Sequence, residues 1–245
     1  MTIGSDEDLE KMKEIGAICR SVLAAMRARV CEGITPLELD DIAGRMLSAA
    51  GARSAPKLAY DFPGHACISV GTAVAHGIPD DRPLRAGEMV NIDVSAEKDG
   101  YFADTGASMC VGAPCREVAA LLKATEDTQR RAMYTARAGR PISGVARIVE
   151  ARAKQHGYHI VEGLNGHGVG RWIHEEPRVS NTLSLAQKGR LKRGQVITVE
   201  PFLATRSRSY VEDADGWTLR LQDGGLGAQF EHTFVVTDGA PIVLT

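Results

Sequence analysis

Asp93 and Asp104 lie in the stretch NIDVSAEKDGYFADT (91–105), whose spacing can bring two carboxylates side by side. Residues 90–95 alternate apolar and polar, Asp99-Gly100 is a strong two-residue turn signal, and Tyr101 and Phe102 begin a returning strand. A two-residue turn sets Asp104 opposite Ser95, so that Asp93, Ser95 and Asp104 share one face of a β-hairpin. A loop one residue longer would send Asp104 to the other face. Two buried carboxylates repel each other and are costly without a partner. A bound cation removes the conflict.

Alone, such a pair would read as solvated residues on an open sheet. A second copy of the pattern changes the reading. The segment LRAGEMVNID (84–93) resembles LKRGQVITVE (191–200), which matches Asp93 with Glu200; Asp104, ahead of Gly112-Ala113-Pro114, is matched by Glu231, ahead of Gly239-Ala240-Pro241. Each half thus brings two carboxylates from equivalent strands. Two glycine-flanked histidine segments, AHGIP (75–79) and GHGVGRWIHEEP (166–177), fall between predicted helices and strands. Asp93, Asp104, Glu200, Glu231 and His167 make a set of four carboxylates and one imidazole, too hard and too acidic for a structural zinc site. Its formal charge of about −4 matches two divalent cations, which bridging carboxylates can hold ~3.5–4 Å apart. A water between such ions becomes acidic enough to attack a carbonyl, which is hydrolase chemistry.

The elements that must position these residues are legible in outline. Ser5 with Asp8 resembles a capping box ahead of a helix through 12–30, and Thr35-Pro36-Leu37-Glu38 is a fuller start signal. Leu39, Ile42, Ala43, Met46 and Leu47 then form one stripe, ended by Gly51. The second half repeats the layout: a helix over 116–137 burying Val118, Leu121 and Leu122, then a helix over 145–155 closed by Gly157. The order in each half is helix, helix, then short strands carrying acids. This predicts an α+β protein built by duplication, its antiparallel sheet covered by helices on one side and holding the site on its concave side. Residues 1–245 read as a single catalytic domain, with pseudo-repeats over roughly 1–115 and 116–245.

The 245 residues, 44% hydrophobic and 24% charged, are ordinary for a globular chain, and a net charge of −2 argues against a general nucleic-acid binder. The acidic amino terminus, MTIGSDEDLEKMK, lacks the pattern of a signal peptide, and no stretch approaches the ~18 apolar residues of a membrane span. Five scattered cysteines without a CxxC pair read as reduced thiols in a cytoplasmic protein.

The segments HGIP (76–79), NIDVSAEKDGYFADT (91–105), GHGVGRWIHEEP (166–177), ITVEP (197–201) and QFEHTFVVT (229–237) resemble the motifs of the type I methionine aminopeptidases, in the fold called pita-bread, over nearly the whole chain. The resemblance implies removal of initiator methionine from nascent polypeptides whose second residue is small. It implies that Asp93 chelates one ion, that Asp104 and Glu231 bridge, and that His167 and Glu200 bind the other, with Co, Mn or Fe(II) as the metal. It further implies that His76 contacts the scissile amide, that His174 contacts the carbonyl oxygen, and that Glu200 doubles as proton shuttle. A capping or salt-bridging role with Glu175 or Glu176 is the alternative for His174. Tyr60, Phe62, Cys67 and Trp217 are the candidate substrate pocket, the resemblance placing Tyr60, Cys67 and Trp217 around the first side chain. The chain departs from the family pattern at Gly71-Thr72, Ala75, Ser95 and Ile173, which bears on the shape of that pocket and on no metal ligand.

Two other readings compete. A proline-specific or broader aminopeptidase shares the fold and ligand set, but such enzymes usually carry a separate N-terminal domain, and only about ninety residues precede Asp93. A non-catalytic pita-bread binding protein would have lost ligands, and all are kept. The expected partners are nascent amino termini, with ribosome association, no membrane, no specific nucleic acid and a monomeric state.

Overall fold

The computed structural model describes residues 1–184 and 187–245. Its first half contains α1 (Asp6–Arg29), α2 (Pro36–Ala49), β1 (Arg53–Ser54), α3 (Ala55–Tyr60), β2 (Cys67–Val70), β3 (Ala73–Ala75), β4 (Met89–Lys98) and β5 (Tyr101–Cys110). The second half supplies α4 (Arg116–Thr135), α5 (Ser143–His156), β6 (His159–Ile160), β7 (Gly166–Gly168), β8 (Glu175–Val179) and β9 (Val196–Val199). It ends with β10 (Phe202–Ala204), β11 (Tyr210–Glu212), β12 (Leu219–Leu221), β13 (Gly227–Val235) and β14 (Ile242–Val243). Among the described residues no helix is long and apolar enough to cross a membrane.

The β4–β5 hairpin follows from its turn. Asp99 and Gly100 both have positive φ, 53° and 80°, as a two-residue turn matched to strand twist requires. The buried Glu97 carboxylate accepts from the Gly100 N–H at 2.7 Å, and Lys98 pairs with Tyr101. Ser95 therefore pairs with Asp104, and Asp93 with Gly106, as the two-residue turn predicts.

The central strands run in the order β4-β5-β13-β9, with antiparallel pairing throughout. Between the halves, Glu231 pairs with Gly106 and His232 with Thr105, while the Asp104 N–H donates to Thr233 Oγ1 at 3.0 Å. The arrangement is thus symmetric about the Thr105–His232 pair. Helix α1 packs on β4 and β5, α4 packs on β9 and β13, and α2 and α5 pack on α1 and α4. Two apolar cores result, one under each helix pair, with Met12, Ile15, Leu39 and Ile92 in the first and Leu121, Val149, Ile197 and Phe234 in the second. Of the stripe expected on α4, Val118 and Leu121 are buried, while Leu122 is only partly so.

The structure corrects one detail of the duplication. Val94 pairs with Thr105 and Val199 with His232, so Val199 is the counterpart of Val94 across the axis. Glu200, next after Val199, corresponds to Ser95 and not to Asp93. Because side chains alternate with a period of two, this shift leaves the acid on the same face. Two features lie outside the predicted outline: the short helix α3, capped by the Ser54 hydroxyl, and the small sheet β11-β12-β3.

Helix α2 starts as its sequence requires, with Thr35 Oγ1 accepting from the Glu38 N–H at 3.1 Å and the Thr35 N–H donating to Glu38 Oε2 at 2.8 Å. Removing this cap with Thr35→Ala should cost about 1 kcal/mol and lower Tm by ~2–4 °C, without altering metal binding. An unchanged thermal midpoint would show that packing alone holds the start of α2.

Candidate metal centre

His167 is placed by the glycines on either side of it. A Cβ at Gly166 would lie 2.5 Å from the Thr198 carbonyl oxygen, and one at Gly168 would lie 2.3 Å from that of Glu176, so only glycine lets β7 fit between β8 and β9. His167 is therefore a strand residue, not the inter-element residue expected from sequence. Its Nδ1–H donates to the Gly168 carbonyl at 2.9 Å, which leaves Nε2 with a free lone pair. That nitrogen faces Glu200 Oε1 at 3.5 Å, Asp104 Oδ2 at 3.7 Å and Glu231 Oε1 at 4.0 Å. Desolvation lowers the His167 pKa to about 3, so the imidazole is neutral and able to act as a ligand.

The four acids come from four strands or strand ends and converge on the same space. Desolvation raises the pKa of Asp93 to about 6. Burial first, and then repulsion among themselves, drive Asp104, Glu200 and Glu231 well above the usual carboxylate range. Among the described residues no Lys or Arg lines the cavity to offset this charge. Asp104 Oδ1 and Glu231 Oε1 are buried without a hydrogen-bond partner. One ligand atom each from Asp104, His167 and Glu231 falls within 4.8 Å of the others. Unpartnered buried carboxylate oxygens beside a neutral imidazole are the donor set a divalent metal ion requires, and the residues fit one.

The acids and His167 form the floor of a cavity of about 280 Å³, and all the other residues singled out from sequence line the same space: Tyr60, Phe62, Cys67, His76, His174 and Trp217. His76 adopts a left-handed conformation, φ 53°, between β3 and Gly77, whose own Cβ would meet the Ile68 carbonyl at 2.3 Å. His174 stands edge-on to His167, with ring centroids 4.3 Å apart, and its Nδ1 lies 2.5 Å from the Tyr60 hydroxyl. The salt-bridge alternative for His174 is not realised: Glu175 Oε1 accepts from the Arg171 and Trp172 N–H groups at 2.6 and 2.8 Å. No ion pair joins His174 to Glu175 or Glu176 among the described residues. Phe62 and Trp217 meet edge to face, centroids 5.2 Å apart. Cys67 pairs in register with Asp93; burial first, and then the charges of Asp93, Asp104 and Asp40, raise its thiol pKa and hold it protonated.

Three lining residues were not among the expected site residues. Ser95 had been placed on the face of Asp93 and Asp104 but given no role, Ile173 had drawn notice only as a departure from the family pattern, and Pro56, at the start of α3, carried no signal because that helix was not foreseen.

The chain matches metallopeptidase family M24 over residues 10–238. The protein belongs to metallopeptidase family M24. It is 38% identical to "Methionine aminopeptidase 2" of Bacillus subtilis over 247 residues, covering all of this chain and 99% of the relative. A crystal structure of methionine aminopeptidase from Rickettsia prowazekii superposes with a TM-score of 0.95 at 32% identity, with each chain fully covered. The prolidase from Pyrococcus furiosus shares the fold at a TM-score of 0.79 and 24% identity, but this chain covers only 65% of it. The pita-bread architecture expected from sequence is therefore present, and membership of this family entails use of a divalent metal.

The acids of this M24 chain make a signed prediction about pH. Raised carboxylate pKa values mean that the metal-free folded state binds protons more tightly than the unfolded chain. The resulting stability is present below the ordinary carboxylate range and is lost as pH rises from that range through the folded values, that of Asp93 being about 6. The Tm of metal-free protein should fall between pH 5 and pH 7.5, and Glu231→Gln should flatten that fall. Added Mn²⁺ should raise Tm at pH 7.5 strongly in the native chain and weakly in the variant. An equal pH slope in both proteins would refute the electrostatic account.

Proposed function

We propose that this protein removes amino-terminal methionine from polypeptides whose second residue is small, as a type I methionine aminopeptidase. The observation that carries the reading is the buried carboxylate–imidazole cluster on the floor of a small cavity walled by aromatic rings and a thiol. We assign Asp93, Asp104, Glu231, His167 and Glu200 as the residues that would hold two divalent ions. Such ions supply positive charge that polarises a carbonyl and makes water acidic near neutral pH.

The chain's own groups do the rest. Glu200, a ligand with a buried carboxylate, takes the proton of the attacking water and delivers it to the leaving amine. His76, at the rim, hydrogen-bonds the scissile amide. His174 donates from Nε2 to the carbonyl oxygen as negative charge develops there. Tyr60 supports this donation, because a phenol that donates to Nδ1 fixes the tautomer carrying its proton on Nε2. The edge-to-face pair of Phe62 and Trp217, with Cys67, receives the thioether, to which each aromatic contact contributes ~0.3–1.5 kcal/mol. Ile173, wholly apolar, and Pro56 narrow the same space. A closed apolar pocket distinguishes one methylene by only ~1–3 kcal/mol, so norleucine should be accepted and β-branched or charged residues excluded. The reading extends to a cytoplasmic monomer, residues 1–245 acting as one catalytic unit, that meets nascent chains at the ribosome.

The deciding experiment strips the protein of metal, restores Mn, Fe(II) or Co, and compares hydrolysis of Met-Ala-Ser with that of Xaa-Pro peptides. Preference for Xaa-Pro would replace the methionine reading with that of a proline-specific enzyme. Comparable removal of Leu, Lys and Met would leave only a general aminopeptidase. Within the methionine reading, His174→Ala should lower kcat by ~10²–10³ with KM nearly unchanged, and Tyr60→Phe should lower kcat by ~10-fold in the same manner. An effect confined to KM would return both residues to substrate binding.

A further inference from the structure

Beneath the carboxylates a buried chain of amides and a hydroxyl crosses three strands. Asn91 and Ser108 face each other across the β4–β5 pair, and Asn91 Nδ2 donates to Ser108 Oγ at 3.0 Å and to Gln229 Oε1 at 2.8 Å. Ser108 Oγ also accepts from the Gln229 backbone N–H at 2.9 Å. With Oε1 engaged as an acceptor, the Gln229 carboxamide turns Nε2 toward the site, 3.1 Å from Glu231 Oε2 and 3.5 Å from Asp93 Oδ2. A single amide therefore contacts acids contributed by the two halves of the chain. Gln229 is wholly buried.

The sequence makes room for this amide. Gly106 pairs with Asp93 on one side and Glu231 on the other, and a Cβ there would lie 2.4 Å from Gln229 Oε1. The residue type at 229 is also specific. Glutamate would add a fifth acid to the buried cluster, asparagine is one methylene too short, and methionine fills the space without an N–H. By holding Oε2 of Glu231, the carboxamide leaves Oε1, which has no other partner, 4.0 Å from the free nitrogen of His167.

We infer that Gln229 is a positioning residue of the metal centre: its carboxamide, oriented by Asn91, fixes the Asp93 and Glu231 carboxylates relative to each other for divalent-ion binding. The inference rests on the metal-dependent reading of the site proposed above. A buried glutamine that only fills space affects folding, whereas one that aims two ligands affects how tightly ions are held. Partners of this kind behind metal ligands typically change affinity or activity by 10–100-fold.

The test titrates metal-stripped protein with Mn²⁺ by calorimetry, comparing the native chain with Gln229→Met and Asn91→Ala. Gln229→Met should weaken Mn²⁺ binding by ~10–100-fold, and Asn91→Ala, which leaves Gln229 and all the acids in place, should weaken it by a smaller factor. Thermal unfolding of the same metal-free samples shows whether each variant is folded. A lower Tm with native Mn²⁺ affinity in Gln229→Met would overturn the inference and leave a packing role. If Gln229→Met does not fold, Asn91→Ala decides by the same titration, and native affinity there overturns the inference. A native chain that binds no Mn²⁺ would instead refute the metal-centre reading, a result distinct from either.

Discussion

Four carboxylates facing one another in a buried space, with no cationic side chain among them in the described residues, are the constraint on which the rest of this structure turns. Folding alone gives nothing that offsets such a cluster, since the sheet, the helices and the apolar cores would all form as well around neutral residues. What the fold contributes is rigidity. Ladder pairing on both sides of the Thr105–His232 axis, with Thr105 Oγ1 donating to the Glu231 carbonyl and Thr233 Oγ1 to the Asp104 carbonyl, keeps the acids from moving apart to relieve their repulsion. The strain is thereby converted into affinity for cations.

Duplication is an economical way to build such a cluster. Each half supplies a hairpin or strand pair whose one face carries acids and whose other face carries the apolar residues that α1 or α4 covers. Placing two such units about a local axis brings both acid-bearing faces to one cavity without any long loop having to position a ligand. The two-residue offset between the sequence match and the spatial match at Glu200 shows how tolerant the scheme is. An even shift keeps the acid on the inner face, whereas an odd one would turn it outward.

How much of this was legible in the sequence divides along physical lines. The Asp99-Gly100 turn fixed a register, and register fixed the face of Asp93 and Asp104; the Thr35–Glu38 box fixed a helix start. Those signals are local, so a single sequence carries them. His76, His174 and the pocket residues were read through family resemblance, because no local pattern says that Tyr60 and His174, more than a hundred positions apart, will meet. Pro56 and helix α3 were missed for the same reason, as a six-residue helix has too little periodicity to declare itself. Gln229 was within reach. It lies two residues before Glu231 on one strand and so must share its face, but an uncharged amide draws no attention when the search is for charge.

The two histidines that meet edge to face show how one residue type serves two ends within a few ångströms. Both are desolvated and held below the ordinary imidazole pKa, so neither competes with a cation by carrying charge of its own. They differ in the partner of Nδ1. For His167 that partner is the Gly168 carbonyl, which can only accept, so the proton sits on Nδ1 and Nε2 presents a lone pair to the acids. For His174 it is the Tyr60 hydroxyl, which can donate, so on the proposed reading the proton sits on Nε2 and points toward substrate. On that reading a backbone carbonyl behind the ring suits one imidazole to be a ligand, and a phenol suits the other to be a hydrogen-bond donor. The difference between the two imidazoles thus lies in the group behind each ring, one set by a glycine in a strand and the other by the last residue of a short helix.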